Sequence, residues 1–229
     1  MAIKIQSTNK SVKSVKALIF GESGVGKTKL AATAPTPLIL NAEGGLLSLA
    51  GDNLDSVDIK TVDDVMEVYQ FLTESDDAKK YETVIVDSVS EVAEVYLNTL
   101  KKVNKDPRAA YGQLATDMTD MIRAFRDLKN IHVYFIGKGG AVVDEASGIT
   151  EVKTIMPGQT LTKGLPFFFD LVLGLQIGKD DDGKDFRYLQ TNSNMKFKCK
   201  DRSGVLDKME EPHLGKLFKK IIDGTKKKD

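Results

Sequence analysis

The sequence predicts an α/β fold with a mainly parallel central sheet flanked by helices and an antiparallel strand extension toward the C-terminus. Three observations carry that expectation. Short runs rich in Val, Ile and Leu alternate with segments of helical period, and the first such run leads directly into "GESGVGKT", Gly21 to Thr28. The third is length: 229 residues suit one large domain and are short for two. No internal repeat or low-complexity linker divides the chain, so residues 1–229 read as one domain with its core over about 14–223.

The strand candidates are "VKALIF", "PLILNA", "TVIVDS", "IHVYFIG" and "LVLGLQI", each apolar enough for a strand covered on both faces. Between them, "DDVMEVYQFL" and "VSEVAEVYLNTLKKV" have helical spacing. "GQLATDMTDMIRAFRDL" places Leu114, Met118, Met121, Ile122, Phe125 and Leu128 on one stripe, a core face. From Gly137 the glycine-rich stretch through Pro166 reads as a long mobile loop with weak hairpin alternation around Ser147 and Gly148. "KDDDGKDF" turns one strand back into "RYLQT", and "MKFKCK" alternates as a strand. Leu214, Leu217, Phe218, Ile221 and Ile222 mark a final helix before the tail "TKKKD", expected to fray.

The 33 basic and 33 acidic residues cancel, but the ends are basic: six Lys against one Glu in residues 1–30, and eleven basic against six acidic groups in 196–229. That polarity permits a nucleic-acid partner without requiring one. No apolar stretch approaches the roughly 20 residues that span a bilayer, and the N-terminus lacks the apolar centre of a secretory signal. A cytoplasmic protein without membrane attachment is expected. Cys199 is the only cysteine, which excludes an intrachain disulfide and reads as a small half-buried side chain; with two histidines it gives too few ligands for a dedicated zinc site.

Gly21, Gly24, Gly26, Lys27 and Thr28 satisfy the G-x-x-x-x-G-K-[ST] pattern. Its glycines let backbone N–H groups face phosphate oxygens, its Lys reaches the terminal phosphates, and Thr28 would hold Mg²⁺ through its hydroxyl. Gly21, Glu22, Ser23, Gly24, Val25, Gly26, Lys27, Thr28 and Lys29 together form the candidate nucleotide cradle, between a strand and "KLAATA", which can open a helix. A second carboxylate should close a later strand, and Asp87 at the end of "TVIVDS" would reach the Mg²⁺ shell. It could equally cap the helix that starts at Val89, as could Ser88. Hydrolysis needs a group that orients the attacking water. Glu43, in "NAEGG" directly after a strand, would sit at the carboxyl edge of the sheet where ligands bind; a plain surface turn is the alternative.

The order of these motifs resembles the ATPase core of RecA-type recombinases, in which a Glu in a D-A-E-like element activates water; Glu43 is the matching position. More closely, "TAPTPLILNAEGGL" and the late "KDRSG" resemble the compact, core-only phage RecA-like annealing proteins. The resemblance implies an ATPase that uses ATP and Mg²⁺, forms a homo-oligomeric ring or filament on single-stranded DNA, and meets a single-strand-binding protein. It implies that Lys198, Lys200 and Arg202 reach a neighbour's γ-phosphate; period two in "MKFKCKDR" would put Lys196, Lys198 and Lys200 on one face, as would a merely solvated edge. It implies two DNA-facing loops, near "NKDPRAAYG" with Lys105, Arg108 and Tyr111, and over Gly139 to Lys163 with Lys153 and Lys163. Asp144, Glu145 and Glu151 oppose phosphate contacts along all of the second loop. Lys138 stands where that family more often has a neutral polar γ-phosphate sensor.

Other classes share the phosphate motif. A small-molecule kinase should show an Arg-rich lid, and Gly139 to Lys163 contains no Arg. A GTPase should show N-K-x-D after a strand, whereas "NKDP" at Asn104 follows a helical segment. An ATP-switched loader or scaffold for replication proteins remains open, and would hydrolyse slowly and without regard to DNA.

Overall fold

The computed structural model describes residues 12–143 and 148–226. The elements run β1 (Lys16–Gly21), α1 (Lys27–Ala31), β2 (Pro37–Asn41), β3 (Asp55–Asp58), α2 (Val62–Glu74), β4 (Thr83–Asp87), α3 (Val89–Val103) and α4 (Pro107–Arg126). They continue with β5 (His132–Val143), β6 (Thr150–Ile155), α5 (Gln159–Gly164), β7 (Leu171–Lys179), β8 (Asp185–Gln190), β9 (Lys200–Asp201), β10 (Met209–Glu210) and α6 (Leu214–Lys226). All five sequence-predicted core strands are present.

The main path of the sheet is β10-β8-β7-β1-β5-β4-β2-β3. Strands β7, β1, β5, β4, β2 and β3 are mutually parallel, while β6, β8, β9 and β10 add antiparallel pairings. Because side chains alternate along a strand, each apolar run feeds two cores. Leu18, Phe20, Leu38, Leu40, Val84, Val86, Val133 and Phe135 pack with α2, α3 and α4. Ala17, Ile19, Ile39, Ile85, Tyr134, Ile136 and Leu173 pack on the other face, with α1 and α6. Both faces are buried, which is why these strands read as continuous rather than alternating apolar runs.

The register aligns the strand ends. Asn41 is opposite Asp87, Asp87 opposite Ile136, and Gly21 opposite Lys138, so β1, β2, β4 and β5 deliver their carboxyl ends to one edge.

Three expectations are corrected. The glycine-rich segment after Gly137 is not a long loop: β5 continues to Val143 and β6 returns beside it with Lys138 opposite Ile155, followed by α5. Glycine there serves close approach, since a Cβ on Gly139 would lie 2.8 to 2.9 Å from the backbone of Gly21. Arg108 and Tyr111 are helical rather than in a loop, because Pro107 opens α4 and Asp106 caps it by accepting from the Arg108 N–H at 2.9 Å. "MKFKCK" forms only a bridge from Phe197 to Val152 before the two residues of β9, although its alternation persists, with Cys199 buried and Lys196 and Lys198 exposed. Asp144, Glu145 and the turn residue Ser147 lie outside the described residues, as do residues 1–11 and 227–229. Among the described residues no helix is long and apolar enough to cross a membrane.

Helix α6 closes the second core. Thr33 starts it, its hydroxyl accepting from the Leu214 N–H at 2.8 Å, and Leu214, Leu217, Phe218 and Ile221 are buried. The Phe218 ring stacks on His132 with centroids 4.4 Å apart. His132 Nδ1 accepts the Val15 N–H at 3.1 Å, so the ring is neutral, and burial with nearby Lys16 pushes its pKa from 6.5 down to about 4. The unfolded chain therefore binds a proton near pH 6.5 that the folded chain refuses until about pH 4, and stability falls with pH across that window. In denaturant melts, the stability advantage of the wild type over His132→Gln should shrink steadily from pH 7 to pH 4; a constant difference would contradict a neutral folded-state His132.

Candidate active site

The Gly21–Thr28 loop leaves β1 at the common edge and re-enters the second core through α1. Gly24 and Gly26 have φ of 76° and 104°, the left-handed region that other residues adopt with strain, and nothing lies within 4 Å of where a Gly24 Cβ would be. Lys27 Nζ donates to the carbonyls of Gly21 at 2.9 Å and Glu22 at 2.8 Å, bridging its own loop. Burial lowers its pKa, against the carboxylates of Glu43 and Asp87 that hold it up. The Tyr134 hydroxyl, buried beneath, donates to the Lys27 carbonyl at 3.1 Å. Lys29 turns away to pair with Asp52 at 2.6 Å, so only its backbone belongs to the cradle.

Thr28 Oγ1 donates to Asp87 Oδ2 at 2.6 Å. Asp87 is buried, and its other oxygen, Oδ1, has no hydrogen-bond partner. Burial raises the Asp87 pKa and Glu43 adds to the rise, while the Thr28 hydrogen bond opposes it. A buried, half-satisfied carboxylate beside a threonine hydroxyl is costly in isolation and fits a hard divalent cation. The alternative role for Asp87 as a helix cap does not hold: Ser88 is the N-cap of α3, its oxygen accepting from the Glu91 N–H at 3.3 Å.

Glu43 follows β2 and is anchored to the same edge, the Ala42 and Glu43 N–H groups both donating to the Asp87 carbonyl at 2.7 and 3.3 Å. Its side chain is exposed, and its Oε1 accepts the Ser88 hydroxyl at 2.6 Å. Lys138, on β5 beside Gly21, pairs with Glu91 of α3, and its N–H donates to Ser90 Oγ at 3.1 Å. Burial works against the Lys138 charge, yet the Glu91 hydrogen bond and the surrounding carboxylates raise its pKa. The structure thus brings Lys27, Thr28, Glu43, Asp87 and Lys138 to one edge.

The remaining sequence candidates lie elsewhere. Lys198 pairs with Glu151 of β6 at 2.7 Å, Lys200 donates to the Pro166 carbonyl at 2.6 Å, and Arg202 lies 3.7 Å from Asp170. Lys200 is opposite Val172 near the start of β7, the end of the sheet away from the chain's own Gly21–Thr28 loop. Lys153 lies 3.7 Å from Glu151 on β6, and Lys163 is exposed near the end of α5. Lys105 precedes α4. Tyr111 lies under the Lys101 ammonium, 5.3 Å from the ring centroid, and a Cβ on Gly158 would be 3.3 Å from its ring. The first turns of α4 and the residues before α5 therefore form one surface.

A model of the AAA domain family AAA_24 matches residues 13–203. The chain belongs to that family. Its phosphate-loop motif lies within the matched residues, and its α/β fold is shared with a solved structure. It is similar to an ATPase of the type III secretion system of pathogenic bacteria, with 14% identity, a TM-score of 0.50, and coverage of 71% of this chain and 52% of that one. The chain thus spans about half the length of that ATPase. A KaiC-like protein from the hyperthermophilic archaeon Pyrococcus horikoshii OT3 gives 13% identity and a TM-score of 0.41, covering 76% of this chain and 77% of that one. No curated protein matches this chain.

Sequence reasoning, which gave Ser88 only as a possible helix cap, missed its tether to Glu43, the pairing of Glu91 with Lys138 and the Tyr134 hydroxyl beneath Lys27. Ser88 and Glu91 had a signal, because "SVSE" from Ser88 to Glu91 has the S-x-x-E spacing of a helix N-terminus. Tyr134 sits in an apolar run with nothing local to mark its hydroxyl. Ser88→Ala removes both the α3 cap and the Glu43 tether, and should cost about 1 kcal/mol in chemical denaturation. An unchanged midpoint would show that neither hydrogen bond contributes to stability.

Proposed function

We propose that this AAA domain binds ATP with Mg²⁺ in the Gly21–Thr28 loop, hydrolyses it, and assembles with copies of itself on single-stranded DNA to promote strand annealing and recombination. The observation that carries the ATPase reading is the convergence of Lys27, Thr28, Asp87 and Glu43 at one sheet edge, with Asp87 Oδ1 left unpartnered. Lys27 would exchange the Gly21 and Glu22 carbonyls for the terminal phosphates. Thr28 Oγ1 and Asp87 would hold the metal, which when bound neutralises phosphate charge. Glu43, once released from the Ser88 hydroxyl, would orient the attacking water and take its proton. Lys138 would place a second positive charge near the terminal phosphate, exchanging Glu91 for it.

The DNA part of the reading rests on the resemblance of "TAPTPLILNAEGGL" and "KDRSG" to phage annealing proteins and on the basic ends. The shared surface of Tyr111 and Gly158 supports it, because it joins the two segments assigned to DNA. Placement of Lys200 and Arg202 away from the chain's own loop suits basic groups that serve a neighbouring subunit.

A second reading is favoured by one observation. Glu43 and Lys138 are both engaged by residues at the start of α3, which suits an ATP-switched loader that turns over slowly.

One assay separates the two: ATP hydrolysis by purified protein with and without single-stranded DNA, beside Lys27→Ala and Glu43→Gln. The annealing reading expects DNA to stimulate turnover, Lys27→Ala to abolish it, and Glu43→Gln to bind ATP with kcat lowered by roughly 10²- to 10⁴-fold. Lys27-dependent hydrolysis indifferent to DNA would overturn that reading in favour of the loader. Normal turnover by Glu43→Gln would remove Glu43 from the water-activating role.

A further inference from the structure

Arg187 lies on β8, opposite Ile177 of β7, in a hairpin that the phosphate motif does not include. Its Nε donates to the Val25 carbonyl at 2.8 Å, a contact between residues 162 positions apart. The side chain crosses directly over the loop, since a Cβ on Gly26 would lie 3.3 Å from Arg187 Nε and 3.7 Å from its Cδ. The acidic residue two positions before it, Asp185, is paired with Lys179 at 3.1 Å, and among the described residues no carboxylate forms an ion pair with Arg187.

Peptide geometry gives this contact a consequence. In a trans peptide the carbonyl oxygen and the following N–H point in opposite directions. A donor fixed on the Val25 oxygen therefore turns the Gly26 N–H away from the hairpin. Gly26, at φ 104°, has no side chain to hold that orientation, and its permissive backbone would otherwise sample several.

We infer that Arg187 is a positioning residue for the phosphate-binding loop: it clamps the Val25–Gly26 peptide from the outside so that the Gly26 N–H is pre-aimed at a bound phosphate. The inference rests on the reading of the Gly21–Thr28 loop as a nucleotide site. It assigns a specific role to the Nε–H donor rather than to the guanidinium charge. It also makes the β7–β8 hairpin part of the nucleotide site, although the hairpin carries none of the motif.

Glutamine separates donor from charge, because Gln Nε2 sits the same number of bonds from the backbone as Arg Nε and is neutral. Three proteins are compared, wild type, Arg187→Ala and Arg187→Gln, by amide hydrogen exchange over residues 21–28 without nucleotide, by ATP binding, and by steady-state hydrolysis. Arg187→Ala should exchange faster at the loop and bind ATP about tenfold more weakly. Its kcat should stay within about twofold, because a pre-aimed N–H serves ground state and transition state alike. Arg187→Gln should recover most of both losses, with melting temperatures of all three close together. Wild-type loop exchange in Arg187→Ala, or an Arg187→Gln protein as impaired as Arg187→Ala, would overturn the inference, the latter in favour of a charge effect. Failure of the nucleotide reading shows separately, as wild-type ATP binding that survives Lys27→Ala, and takes the inference with it.

Discussion

The parallel register of β1, β5, β4 and β2 is the constraint on which the site depends. Each strand ends at the same edge, so residues far apart in sequence arrive side by side: Gly21 beside Lys138, and Asp87 beside Asn41. Burial of both sheet faces holds that register, because a slip by one residue would exchange the two cores face for face. The chemistry at the edge is then fixed by backbone geometry rather than by flexible side chains. The Asp87 carbonyl illustrates this: it receives the Ala42 and Glu43 N–H groups and so sets where the Glu43 side chain begins.

The start of α3 is the second organising feature. Ser88 caps the helix and tethers Glu43; Ser90 receives the Lys138 N–H; Glu91 neutralises the Lys138 ammonium. Three residues of one helical turn thus hold the two groups proposed to act on the terminal phosphate. Such an arrangement couples any movement of α3 to both of them at once. The same helix packs on α4, whose N-terminal end carries Arg108 and Tyr111.

The elements legible in the sequence were those whose signal is local and repeated. Apolar runs gave β1, β2, β4, β5 and β7, and the Leu114 to Leu128 stripe gave α4, because burial leaves its period in the sequence. The Gly21–Thr28 loop and the place of Asp87 at the same edge were legible because a glycine-spaced motif after an apolar run and a carboxylate closing another are local signals. What was not legible depended on partners. Asp55–Asp58 is polar and exposed, and is a strand only because β2 offers it an edge. Gly139 and Gly140 resemble loop glycines until Gly21 and Ile155 are seen against them. Arg187 reaches the loop from 162 residues away, and no spacing rule announces such a contact.

Thr28 and Asp87 are proposed as the metal half of an ATP site, with the unpartnered Asp87 Oδ1 as the clearest mark of it. The most direct measurement is calorimetric titration of ATP into wild type and Asp87→Asn, with and without Mg²⁺. Mg²⁺ should tighten binding to the wild type, and Asp87→Asn should lose most of that gain while still binding metal-free ATP through Lys27 and the loop. An equal Mg²⁺ effect in both proteins would contradict that assignment.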